Sequence, residues 1–104
     1  METIKIGHHD YALKYEDVLK APDGDLLDGQ CNKHGKIIKM SNDFENKDFQ
    51  NAVLLHEIIH GVIFESGYAF SSFEEEEEFT YLFGKTLHGF MKDNIELINA
   101  LYNK

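Results

Sequence analysis

The stretch Val53-Leu54-Leu55-His56-Glu57-Ile58-Ile59-His60-Gly61-Val62-Ile63-Phe64 decides how this chain is read. Its two histidines are four residues apart, so at about 100° per residue they fall within roughly 40° of each other, one turn apart on one helical face. Two imidazoles so placed reach one ion. Glu57 adjoins the first of them, where a carboxylate can take a proton from a water that zinc has acidified to near neutrality. The surrounding Val53, Leu54, Leu55, Ile58, Ile59, Val62, Ile63 and Phe64 make the helix apolar around most of its circumference, which places it in a core. Burying His, Glu and His there costs on the order of several kcal/mol unless partners satisfy them, and a cation is such a partner. Chance alone produces an HExxH in a chain of this composition with a frequency of roughly a few per cent.

Working outward, the spacing predicts a helix over residues 47–66, with Asn46 as its cap and Gly67 as its stop. A second helix starts after Ser71 or Ser72, each with a glutamate three residues on, and ends near Lys92. A third, over residues 94–102, offers Ile95, Ile98 and Leu101 or Tyr102 as its packing face. The amino-terminal part reads instead as strands at residues 3–6, 10–14 and 36–40. Gly7-His8-His9 turns the first strand into the second, and Asn32-Lys33-His34-Gly35 turns a segment near 29–31 into the last. Residues 15–20 read as one or two helical turns and 21–25 as a loop. The expected fold is α+β: a short N-terminal β-sheet followed by the HExxH helix and two further helices, in one domain over residues 1–104.

Composition narrows the function classes. The chain has 104 residues and 42% hydrophobic content, enough for one compact core. No apolar stretch reaches the roughly 18 to 20 residues of a membrane span, and the amino terminus lacks the basic start and apolar run of a signal peptide. Cys31 has no second cysteine to pair with. The expected setting is therefore soluble and cytoplasmic. Nineteen acidic against ten basic residues give a net charge of −9, which repels nucleic-acid backbones and anionic membranes alike. Five of the acids form the run at residues 74–78, whose simplest reading is a solvated helix face.

A catalytic zinc site needs a third protein ligand and a position open to water. The pattern HExxHxxGxxH is absent, since Ile63 and Ser66 stand where its glycine and third histidine belong. The run at 74–78 offers a carboxylate if the second helix packs antiparallel to the first. His8, His9 and His34 are remote alternatives, none with ligand spacing. His88 lies three turns from Glu77 of that run, about 16 Å along the helix, too far to share an ion with it.

Three segments carry a resemblance to a known family: Val53 through the HExxH, Glu77-Glu78-Phe79-Thr80-Tyr81-Leu82-Phe83-Gly84, and Lys92-Asp93-Asn94-Ile95-Glu96-Leu97. Over this half of the chain the sequence resembles the small thermolysin-like, or gluzincin, metallopeptidases, and within them phage and mobile-element proteins related to the ImmA/IrrE group. The resemblance implies one zinc ion held by His56, His60 and Glu77, with Glu78 the alternative third ligand and Glu57 the general base. It leaves Glu74, Glu75 and Glu76 as exposed charge at the helix start. Relatives more often carry Asp, Asn or Glu to hydrogen-bond a ligand histidine where this chain has Tyr81, and proline near Asn94-Ile95. Tyr81, Tyr68 and His34 are the candidates for the oxyanion or for support of the ligands. Gly61 and Gly84 fit a close approach of the two helices. The resemblance also implies an edge strand beside the HExxH helix that holds an extended substrate, and residues 36–40 are placed to be it.

The function so implied is a zinc-dependent endopeptidase acting on a protein or peptide substrate, a phage or mobile-element regulatory protein in the host cytoplasm. The alternative is a zinc-containing protein-binding module with little peptidase activity, favoured by the small size and by Tyr81. A third reading is an α+β interaction protein whose histidines match by chance. Neither oligomeric state nor cleavage specificity is encoded in any motif here.

Overall fold

Alternation of apolar and polar residues sets the first layer. In the computed structural model, which describes residues 2–103, β1 (Glu2–Ile6), β2 (His9–Glu16), β3 (Gly29–Asn32) and β4 (Ile37–Ser41) form one sheet in the order β1-β2-β4-β3. β1 pairs antiparallel with β2, β2 parallel with β4, and β3 antiparallel with β4. The period of two sends Tyr11, Leu13, Ile38 and Met40 to the same inner face, where they join Ile6 as the buried centre. Gly7 and His8 turn β1 into β2 with positive φ angles of 56° and 73°.

Helix α1 (Lys47–Ser66) crosses this face. The Asn46 side chain accepts from the backbone N–H groups of Asp48 (2.8 Å) and Phe49 (3.3 Å), and Gly67 ends the helix in the left-handed region at φ 83°. Val53, Leu54 and Ile58 pack on the sheet cluster, so the helix that carries the HExxH is seated by the core itself. Helix α2 (Phe73–Asp93) starts at a Ser72 cap that accepts from Glu75 N–H, then runs back along α1. Its direction follows from its contacts: Glu76 and Glu77 meet His60, while His88 and Lys92 meet Asp48 at the other end of α1. α3 (Ile95–Tyr102) follows and has no buried residue. The arrangement is α+β, a four-stranded amino-terminal sheet followed by three helices.

Four sequence expectations change. Residues 15–20 make no helical turn, because β2 continues to Glu16 against Ser41 of β4 and Lys20 bridges Leu26. Residues 36–40 do not form an edge: β4 lies between β2 and β3, both of its sides paired, and Ile38 and Met40 are fully buried. The edge on that side of the sheet is β3. Gly61 faces the sheet, since a Cβ there would sit 3.0 Å from Ile6 Cδ1, whereas Gly84 does serve the helix packing, 3.1 Å from Ile59 Cδ1 on the same measure. Finally, Ile95 and Leu101 do not form a packed face but remain half or more exposed.

Candidate metal centre

The helical spacing of four residues and the antiparallel packing of α2 together assemble the site. His56 Nε2 lies 2.5 Å from Glu77 Oε1, and His60 Nε2 lies 3.3 Å from the same oxygen. One ligand atom from each of His56, His60 and Glu77 lies within 4.8 Å of the others, a spread that an ion with bonds of about 2.0–2.2 Å can draw together. The imidazoles meet edge to face with centroids 5.0 Å apart. Two imidazole nitrogens and one carboxylate oxygen make a donor set that fits a divalent cation. Glu78 is exposed, and the ligand cluster includes Glu77 in its place.

Glu76 departs from the sequence reading. It is not exposed charge: only 8% of its surface is accessible, and its Oε2 lies 2.6 Å from His60 Nδ1. Lys33 Nζ, from the turn between β3 and β4, stands 3.6 Å from the same carboxylate. The signal that could have found it is the i, i+4, i+8 series Glu76, Thr80 and Gly84, the three buried residues of α2. Glu74 and Glu75 are exposed, as expected for a solvated helix start.

Glu57 is buried beside β3, with 8% exposure. Burial pushes its carboxyl up to about 7; His60 opposes the shift and the Glu77 carboxylate adds to it. Its place depends on Gly29, where a Cβ would sit 3.0 Å from Glu57 Cγ, 3.0 Å from Val53 Cγ1 and 3.1 Å from Met40 Sδ. His56 and Glu57 open onto a cleft of ≈ 480 Å³ whose walls include Gly29, Phe49, Val53 and Tyr81. A second depression, around Lys33, Phe64, Phe70 and Phe73, lies at the other end of β3.

No family model, curated protein or solved structure matches the chain. The site therefore stands on its own geometry. Of the candidate supporting residues, Tyr81 alone lines the cleft with His56 and Glu57. Tyr68 is exposed and packs on Phe70, and the His34 ring packs against Phe64. His8 occupies the β1–β2 turn and His9 lies 3.7 Å from Glu65, so neither joins the cluster. His88 pairs with Asp48 at 3.2 Å. Burial pushes the Cys31 thiol up to about 11, reinforced by Glu57, which keeps it a neutral thiol near pH 7. No described helix is long and apolar enough to cross a membrane.

Proposed function

We propose that the chain is a zinc-dependent metallopeptidase of the small gluzincin type, related to the ImmA/IrrE group, that hydrolyses a peptide bond in a protein or peptide substrate. One observation carries the reading: His56, His60 and Glu77 converge while Glu57, adjacent to the first of them, lines a cleft together with His56. A zinc ion held by those three side chains supplies a Lewis acid that acidifies water and polarises a carbonyl. Glu57 takes the proton from the attacking water and delivers it to the leaving amine. β3 offers a free main-chain edge beside α1, and an extended peptide pairing with it lays its backbone across the cleft. Tyr81 lines the same cleft as His56 and Glu57, and its hydroxyl is the donor we assign to the developing oxyanion. Phe49, Ala52 and Val53 give the cleft apolar walls, which favour a substrate with an apolar side chain next to the cleaved bond.

The test is Glu57→Gln, assayed on a fluorescence-quenched peptide library with zinc content measured in parallel. The variant keeps its metal and loses about 10²–10⁴ of the cleavage rate. Undiminished cleavage removes Glu57 from the mechanism.

A second reading, a zinc-containing binding module of weak activity, is favoured by an exposed aromatic series. Tyr68, Phe70, Phe79 and Phe83 touch in sequence with centroids 4.8, 5.4 and 5.2 Å apart, and Tyr68 is 64% exposed. Wild-type protein that holds zinc, cleaves no member of the library and binds a protein partner equally well as Glu57→Gln supports this reading over the first.

A further inference from the structure

We propose that Glu76 is the positioning residue for His60, fixing its tautomer and ring plane so that Nε2 presents a lone pair to the ion, with Lys33 holding Glu76 in turn. The inference rests on reading the cluster as a metal site. A neutral imidazole carries one N–H and one lone pair, and a carboxylate accepts hydrogen bonds but donates none. With Oε2 of Glu76 2.6 Å from Nδ1, a hydrogen sits on Nδ1, which leaves Nε2, 3.3 Å from the Glu77 carboxylate, as the atom that turns its lone pair to a cation standing between the two.

The ring has little freedom to answer otherwise. Only 7% of the His60 side chain is exposed, and Phe73 lies parallel to it with centroids 6.2 Å apart. Glu76 is held from both ends. Its backbone N–H donates to Ser72 O at 3.2 Å in the first turn of α2, and Lys33 Nζ stands 3.6 Å from its side chain while lying 5.8 Å from the Phe64 ring centroid. His56 is treated differently: among the described residues no hydrogen bond reaches its Nδ1. His60 is thus the preoriented ligand, and its orientation is tied through Lys33 to the turn that ends β3, the strand beside the cleft.

Supporting a ligand histidine in this way changes metal affinity typically by 10–100-fold. The experiment measures two quantities on the full chain: the His60 tautomer, from imidazole nitrogen shifts of the metal-free protein, and the zinc dissociation constant, from competition with a chelator. In the wild type His60 carries its hydrogen on Nδ1. In Glu76→Ala that preference is lost and zinc binds about 10–100-fold more weakly, while Glu74→Ala, at an exposed neighbouring position, binds as the wild type does. Glu76→Gln retains an acceptor at the same place, so it keeps the tautomer and loses only part of the affinity, which separates positioning from collapse of the fold. Lys33→Met weakens zinc several-fold. A wild-type His60 with no hydrogen on Nδ1, or a Glu76→Ala variant with unchanged tautomer and unchanged zinc affinity, overturns the assignment. Failure of the wild type to bind zinc overturns the metallopeptidase reading instead, and the tautomer measurement still decides the role of Glu76.

Discussion

Tyr11 and Glu65, 54 residues apart in the chain, meet where the Tyr11 hydroxyl donates to Glu65 Oε2 at 2.5 Å, fastening the last turn of the HExxH helix to the centre of the sheet. Lys36 Nζ reaches the same oxygen at 2.5 Å, and His9 Nε2 stands 3.7 Å from the other carboxylate oxygen, Oε1. Tyr11 is fully buried, so its hydroxyl has no recourse to water. His60 and His56 lie about one and a half and two and a half turns earlier on the same helix, so the contact anchors the end of the element that carries them.

Removing the hydroxyl in Tyr11→Phe costs about 1–2 kcal/mol, read as a lower Tm, with zinc binding retained. The pH dependence follows from Glu65. Lys36, and then Tyr11, hold its carboxyl below the ordinary value of 4.5. A carboxyl with a depressed folded-state pKa contributes stability that is complete above its unfolded value and fades as pH falls through the folded one. Stability of the wild type therefore drops below about pH 4.5, and Glu65→Gln, measured by thermal melts across pH 2–7, shows a shallower acid limb.

Gly29 lies so close to α1 that a side chain there meets Glu57, Val53 and Met40 at once. Gly29→Ala is expected to push β3 away from α1 or to turn Glu57 from its position. Displacements of this order cost about 10²-fold in rate when the geometry is catalytic. The expected result is a steep fall in peptide cleavage with zinc content unchanged. Equal loss of zinc and activity would show that the glycine serves the fold rather than Glu57.

The helices were legible because their signals are local. Asn46, Gly67 and Ser72 mark ends by hydrogen bonds and backbone conformation that a few residues determine. The His56–His60 pair was legible for the same reason, since four residues make one turn. Glu77 came from a resemblance, and the antiparallel packing of α2 brings it to both imidazoles. Glu76 was not legible, because the rotation of α2 about its axis decides which of five consecutive glutamates is buried, and that rotation, which buries Thr80 and seats Gly84 against Ile59, is a matter of tertiary packing. The edge was assigned to residues 36–40 for a related reason: the hairpin of β3 and β4 was legible from its turn, but Gly29-Gln30-Cys31-Asn32 has little alternation, so its position outside β4 follows from pairing and not from pattern.

Tyr81 lines the cleft but is 58% exposed, which leaves its ring free to approach a bound substrate. Tyr81→Phe keeps the ring and removes the donor. Loss of one oxyanion donor typically costs 10²–10³ in kcat, and the expected phenotype is that fall with zinc affinity and Tm unchanged. A Tyr81→Phe enzyme of wild-type rate excludes the hydroxyl from the reaction.

If His56, His60 and Glu77 hold one metal ion, elemental analysis of the purified protein reads it without any assay of activity. About one zinc per chain is expected in the wild type and in Glu78→Ala, and almost none in His56→Ala or Glu77→Ala, because a three-ligand site has then lost a ligand. Zinc at about 100 times its dissociation constant also adds about 2.7 kcal/mol to wild-type stability, and nothing to those two variants. Absence of metal from the wild type, even after zinc addition, would mean that these three side chains do not form a metal site.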